Sequence, residues 1–177
     1  PMGQSDKLSI DEKGKTVDQK IYRSMIGSLL YLTASRPDIS YAVGVCARFQ
    51  AAPKESHLKA VKRIIKYVKS TIELGIWYSY DSPMELIGYT DSDWAGCLDD
   101  RKSTTGGCFY FGNNLISWNS KKQNCVSLST AEAEYIVATN CCSQLIWMKR
   151  MILEFGIHVK KFKILCDNTS AINIAKN

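Results

Sequence analysis

Ser129-Thr130-Ala131-Glu132-Ala133-Glu134-Tyr135 opens the longest helical pattern in the chain, and the fold follows from how its two glutamates are used. Ser129 with Glu132 three residues on is a capping box, which marks the helix start. The pattern then runs from about Thr130 to Phe155 and stops at Gly156. At the helical period Glu134 heads an apolar stripe of Ala138, Cys141, Leu145, Met148 and Ile152, while Glu132 lies on the far side. That stripe is the face that must pack on a sheet. An unpaired carboxylate there costs several kcal/mol unless a cation or hydrogen bonds accompany it.

Both flanks of the helix read as strands. Upstream, Gly75 to Tyr80 is a short β run, and Glu85 to Thr90 alternates into Asp91-Ser92-Asp93. A polar loop from Gly96 to Thr105 follows, then Gly107 to Phe111, a turn at Asn113-Asn114, and Leu115 to Asn119. Downstream, Lys163 to Cys166 is a strand ending at Asp167, and Asn168 opens a further helix. This order predicts an α/β fold with helices against a mixed sheet. Asp91 and Asp167 each stand at the C-terminal end of a strand, the edge where open α/β sheets bind ligands. Asp91, Glu134 and Asp167 have no paired lysine, so their convergence calls for divalent cations. Oxygen-only donors select Mg²⁺ or Mn²⁺ over zinc, and a pair of such ions is a clamp for phosphodiester hydrolysis.

The first part of the chain is of another kind. After a polar stretch over residues 1–19, helices are expected from Gln19 to Ala34, Ile39 to Phe49 and Lys54 to Ser70. In the third, Leu58, Val61, Ile64, Ile65 and Val68 share one side, and Lys59, Lys62, Arg63, Lys66 and Lys69 the other. A stripe of five cations is either a solvated face or a track for phosphates. The 177 residues carry a net charge of +6. Residues 1–80 hold 13 basic and 7 acidic side chains, and residues 81–177 hold 10 of each, so the excess belongs to the first part. With 45% hydrophobic residues the chain is not disordered. No apolar run approaches the roughly 20 residues of a membrane span. Seven cysteines without a C-x-x-C pair, and with His57 and His158 as the two histidines, exclude a zinc finger and point to reduced thiols. No secretory leader is legible, so a cytoplasmic or nuclear setting is expected.

Five blocks then fall in order. They are Tyr89-Thr90-Asp91-Ser92-Asp93-Trp94-Ala95-Gly96; Asp100-Arg101-Lys102-Ser103-Thr104-Thr105-Gly106; Ile116-Ser117-Trp118 through Ser120-Lys121-Lys122-Gln123; Ser129 to Tyr135; and Cys166-Asp167-Asn168 through Ser170-Ala171-Ile172. This series resembles the ribonuclease H domain of copia-type retrotransposon polyproteins. Upstream, Tyr22-Arg23-Ser24-Met25-Ile26-Gly27-Ser28-Leu29-Leu30-Tyr31-Leu32-Thr33 and Arg36-Pro37-Asp38-Ile39 resemble the end of their reverse transcriptase. The resemblance covers nearly the whole chain. It implies a ribonuclease H-like mixed sheet, its first three strands antiparallel, with helices on both faces and the C-terminal strand and helix missing. It further implies hydrolysis of the RNA strand of RNA–DNA hybrids with two Mg²⁺ ions (or Mn²⁺). Asp91, Glu134 and Asp167 match its metal-binding carboxylates, with Asp93 and Glu132 as alternatives in register. Its fourth carboxylate and the polymerase aspartates have no counterpart here, so polymerisation is not expected.

The expected organisation is therefore a small helical connector over residues 1–80, from the end of the reverse transcriptase, and a ribonuclease H-like domain over residues 81–177, as in a segment of a longer polyprotein. Its partners would be the hybrid and the remaining polyprotein, in the cytoplasm (a virus-like particle) or the nucleus, with no membrane. Arg101, Lys102, Lys121 and Lys122 are candidates to meet phosphates, as is Asn168 at a helix start. Trp94 and Trp118 are expected to pack in the core, and His57 and His158 to be structural or solvent-facing. A copy that binds hybrid without cutting it is the alternative.

Overall fold

The computed structural model describes residues 1–3 and 7–176; Gln4, Ser5 and Asp6 of the polar lead-in, and the terminal Asn177, lie outside the described residues. The chain forms two compact units, Pro1–Gly75 with Cys97–Arg101, and Ile76–Gly96 with Lys102–Asn177. The division falls at Gly75 rather than at residue 80. The Cys97–Arg101 segment groups with the first unit, where Asp99 Oδ1 accepts the Ile10 N–H at 3.1 Å.

The first unit holds α1 (Gln19–Leu32), α2 (Pro37–Ala47) and α3 (Glu55–Ser70). Asp18 caps α1 by accepting the Ile21 N–H, and Pro37 starts α2, where its missing N–H is harmless. Tyr22, Ile26 and Leu29 of α1, Ile39, Val43 and Cys46 of α2, and Val61 and Ile64 of α3 form its core. Burial pushes the Cys46 thiol up to about 12. Two polar groups enter this interior, both satisfied. Tyr22 donates its hydroxyl to Cys46 O at 2.8 Å. His57 accepts the Lys54 N–H at Nδ1, leaving Nε2–H to donate to Ser9 O at 2.7 Å, and its ring stacks on Phe49 at 4.0 Å. His57 is thus a buried structural residue, and it fastens the lead-in to the helices. Ile65, expected inside, is exposed on α3.

The second unit is α/β. Its strands β1 (Leu86–Ser92), β2 (Thr104–Phe111), β3 (Asn114–Lys122) and β4 (Phe162–Leu165) form a sheet in the order β3-β2-β1-β4. The first three are antiparallel, and β4 runs parallel to β1. Helix α4 (Thr130–Glu154) packs on β1, and α5 (Thr169–Lys176) packs against α4. Leu86, Phe109, Cys141, Leu145, Met148 and Val159 are the core between sheet and helix. Gly88 permits that approach, since a Cβ there would stand 2.5 Å from Cys141 Sγ.

Three expectations need correction. Gly75 to Tyr80 is not a strand, because the Asn114 side chain takes both backbone groups of Ser79: Oδ1 accepts the Ser79 N–H at 2.7 Å and Nδ2 donates to Ser79 O at 3.0 Å. A carboxamide therefore stands where a ladder partner would. The hairpin turn lies one position earlier than expected, on Gly112-Asn113, with Phe111 paired to Asn114. Gly112 has φ +60°, and a Cβ there would meet Ser82 Oγ at 2.0 Å, so glycine fixes the turn. Helices do not flank both faces of this unit among the described residues. The face opposite α4 presents Ile87, Tyr89, Tyr110 and Leu165, with the two tyrosine rings edge to face at 5.5 Å.

Candidate functional site

Strand β1 ends at Ser92, and β4 lies parallel beside it with Leu165 paired to Tyr89. Two residues beyond that last matched pair on each chain stand Asp91 and Asp167, so the parallel register brings both aspartates to one sheet edge. Glu134 arrives at the same edge from the first turns of α4. It is 5% exposed, with Oε1 accepting the Ser92 N–H at 2.8 Å. No lysine or arginine pairs with it among the described residues. Burial first, then the charges of Asp91 and Asp167, raise its carboxyl above the usual range, while the Ser92 N–H and the Cys166 thiol oppose the rise.

Glu134 and Asp167 come together as expected, but the third donor is sulfur. One donor atom each from Glu134, Cys166 and Asp167 lies within 4.8 Å of the others. Cys166 Sγ approaches Glu134 Oε2 at 3.7 Å and Asn168 O at 3.9 Å. A thiol thus lies beside the two carboxylates at this edge. Asp91 is exposed and outside this triangle, and it acts on Glu134 through its charge. The register alternatives are spent elsewhere. Asp93 Oδ1 accepts the Thr104 N–H and so closes the turn between β1 and β2. Glu132 Oε2 accepts the Leu128 N–H at 2.7 Å while Ser129 Oγ accepts the Glu132 N–H at 3.1 Å, the capping arrangement of α4.

Gln123 escaped the sequence reading. It is buried, with Nε2 within reach of Ser92 Oγ at 3.3 Å, Thr105 Oγ1 at 3.3 Å and Ala133 O at 3.2 Å, and Oε1 accepting from Ser127 at 3.1 Å. One side chain therefore ties β1, β2 and the start of α4 beside Glu134. In the sequence it closes the third block, Ser120-Lys121-Lys122-Gln123, with nothing there to mark its amide as a tie between elements.

The basic candidates separate. Lys121 and Lys122 pair with Thr105 and Thr104 at the end of β3, and Thr105 pairs with Ser92, so they stand two strands, about 10 Å, from the carboxylate edge. Arg101, in the left-handed region at φ +58°, falls in the helical unit, and Lys102 in the sheet unit. Lys59, Lys62, Arg63, Lys66 and Lys69 are all exposed on α3. Asn168 is the N-cap of α5, its Oδ1 accepting the Ala171 N–H at 3.0 Å. Trp94 is not a core residue: it is 51% exposed and donates Nε1–H to Ser127 O at 3.1 Å. His158 is exposed, and all seven cysteines are free thiols. No helix of the described residues is long and apolar enough to cross a membrane.

What the fold and this edge define is an α/β unit with a carboxylate–thiol cluster at the C-terminal end of two parallel strands. No family model matches the chain, and no solved structure does. Curated relatives do. The chain is 45% identical over 170 residues to the retrovirus-related Pol polyprotein from transposon TNT 1-94 of Nicotiana tabacum, covering 96% of this chain and 13% of that protein. It is 42% identical over 178 residues to the Pol polyprotein from transposon RE1 of Arabidopsis thaliana, covering 100% of this chain and 12% of that protein. It is 38% identical over 128 residues to secreted RxLR effector protein 161 of Plasmopara viticola, covering 72% of this chain and 90% of that protein. The first two of these relatives are retrovirus-related Pol polyproteins of plant copia-type transposons, of whose length the chain spans about an eighth.

Proposed function

We propose that the sheet unit is a ribonuclease H-like domain of a retrotransposon polyprotein, which hydrolyses the RNA strand of RNA–DNA hybrids during reverse transcription. The single observation that carries this reading is the buried Glu134 carboxylate, unpaired with any lysine or arginine among the described residues, close to Asp167 and within reach of the charge of Asp91. A buried carboxylate flanked by like charges is costly, and a divalent ion would offset that cost beyond what its two hydrogen bonds do. Asp91, Glu134 and Asp167 would hold Mg²⁺ or Mn²⁺ as two ions, which when bound supply an activated water and stabilise the leaving oxygen. Ser92 fixes Glu134 through its backbone N–H, and Gln123 keeps Ser92 and α4 in place. Lys121 and Lys122, with Arg101, Lys102 and Asn168 as further candidates, meet backbone phosphates. The 2′-hydroxyl distinguishes the RNA strand from DNA. The setting is the cytoplasm, within a virus-like particle, or the nucleus, and the remainder of the polyprotein is the partner.

The test is cleavage of a labelled RNA–DNA hybrid in Mg²⁺ by the chain and by a longer polyprotein segment that contains it. Cleavage that disappears in Asp167→Asn supports the reading, and cleavage that survives Asp91→Asn overturns the assignment of that residue. The exposed stripe on α3 favours a second reading, a hybrid-binding remnant without turnover. In that case hybrid binding falls steeply with salt and no product forms. Replacing Lys59, Lys62, Lys66 and Lys69 by Glu then abolishes binding, and unchanged binding removes α3 from both readings.

A further inference from the structure

The reading above asks Glu134 and Asp167 to hold hard cations, yet the nearest third donor is a thiol. Mg²⁺ does not take sulfur ligands, whereas Zn²⁺, Cd²⁺ and Co²⁺ do. Cys166 is aimed at the cluster: its Sγ lies 3.7 Å from Glu134 Oε2, and all three donor atoms are within 4.8 Å of one another. Around one tetrahedral ion such donors stand about 3.3–3.5 Å apart, given metal–sulfur bonds of about 2.3 Å and metal–oxygen bonds of about 2.0 Å. Starting from separations of at most 4.8 Å, the cluster therefore needs a contraction of about 1.5 Å or less, and the exposed Asp167 side chain can supply it. Glu134 adds burial to this geometry: it is more than nine-tenths buried, with Oε1 taken by the Ser92 N–H and Oε2 facing the Cys166 thiol, and no basic side chain pairs with it among the described residues.

We propose that Glu134, Cys166 and Asp167 form a site for one thiophilic divalent cation, of the Zn²⁺, Cd²⁺ or Co²⁺ class, that competes with Mg²⁺ for the two carboxylates and arrests cleavage. Binding forms a metal–sulfur bond and two metal–oxygen bonds, and the Cys166 proton passes to solvent; nothing is oxidised or reduced. The arrest rests on the nuclease reading, and the site itself does not.

Titration of the full chain with Co²⁺, followed by thiolate-to-metal charge-transfer absorbance, tests it directly. The band is expected in the unsubstituted chain and in Cys125→Ser, to vanish in Cys166→Ser, and to need about tenfold or more Co²⁺ in Glu134→Gln or Asp167→Asn. A band that persists in Cys166→Ser, or that never forms, overturns the site. Should Cys166→Ser fail to fold, cadmium NMR of the Cys125→Ser chain decides: a sulfur-bound resonance supports the site and an oxygen-only one overturns it. Hybrid cleavage separates the two readings. Zn²⁺ should arrest Mg²⁺-supported cleavage in the unsubstituted chain and spare Cys166→Ser. Equal arrest of both overturns the competition while leaving the nuclease standing. A Cys166-dependent band without any cleavage keeps the site and discards the nuclease.

Discussion

Tyr22 in the helical unit and Glu134 in the sheet unit are both polar groups buried near the start of a long helix, and they are treated in opposite ways. Tyr22 is completely enclosed, and its one donor finds Cys46 O at 2.8 Å. Glu134 is almost as enclosed, but it faces two like charges and a thiol, and its backbone hydrogen bond only partly offsets its burial. Stability alone accounts for the first arrangement. It argues against the second, because a neutral side chain of the same shape would cost less at that position. Neutral polar burial with its hydrogen bond made marks a scaffold, and a buried carboxylate set among like charges marks a place held ready for a ligand.

The largest test of this contrast is catalytic. In a polyprotein segment that cuts hybrid, Asp167→Asn should lower the Mg²⁺-dependent rate by about 1000-fold, the equivalent of several kcal/mol of lost charge stabilisation. Tyr22→Phe should leave the same rate unchanged. A rate that follows Tyr22 as strongly as Asp167 would erase the distinction between the units.

Next in size is the sheet core. Leu145→Ala removes a fully buried side chain beneath Gly88 and should cost about 2–5 kcal/mol in urea unfolding. Much of this was legible in advance. The spacing that put Leu145 and Met148 on one stripe of α4 also put Glu134 at its head, and all three are buried. The strands β1 to β4 followed from alternation and turn residues. What could not be read were interactions made by single side chains over long separations. The pairing of Asn114 with Ser79 abolished an expected strand, and Gln123 had no periodic signal at all. Cys166 was visible beside Asp167, but an odd set of thiols gave no reason to separate it from the others until β4 carried it to Glu134.

A third experiment turns on sign. Without divalent cations, Tyr22→Phe should destabilise the chain by about 1 kcal/mol through the lost hydrogen bond to Cys46 O, which keeps the Phe49 N–H at 3.2 Å. Glu134→Gln should stabilise it by about 1 kcal/mol, since the amide keeps an oxygen for the Ser92 N–H and removes a buried charge. Adding Mg²⁺ should favour the unsubstituted chain and leave Glu134→Gln unmoved. If Glu134→Gln is destabilising in metal-free buffer, Glu134 is a structural residue of the same kind as Tyr22.

The smallest effects come from ion pairs, and they carry the comparison to the surface. In the helical unit Arg36 grips Asp38 through two bonds, Nε to Oδ1 at 3.0 Å and a terminal nitrogen to Oδ2 at 2.7 Å, with side chains 13% and 33% exposed. These bonds from Arg36 are the main reason that the Asp38 carboxyl is held below the usual range. Its contribution is therefore present above the ordinary aspartate range and is lost as pH falls through the lower folded value. Asp38→Asn should flatten the acid limb of the unfolding curve and leave its slope above neutrality unchanged. In the sheet unit Lys163 meets Glu85 at 2.9 Å, but the two side chains are 60% and 51% exposed. Water and salt screen that pair, so Lys163→Ala should change stability by less than about 0.5 kcal/mol. A larger loss from Lys163→Ala than from Asp38→Asn would mean that the β1–β4 junction depends on this charge. The parallel register that carries Asp167 to Asp91 would then be set at the surface and not by the packing of Leu86 and Phe162 beneath it.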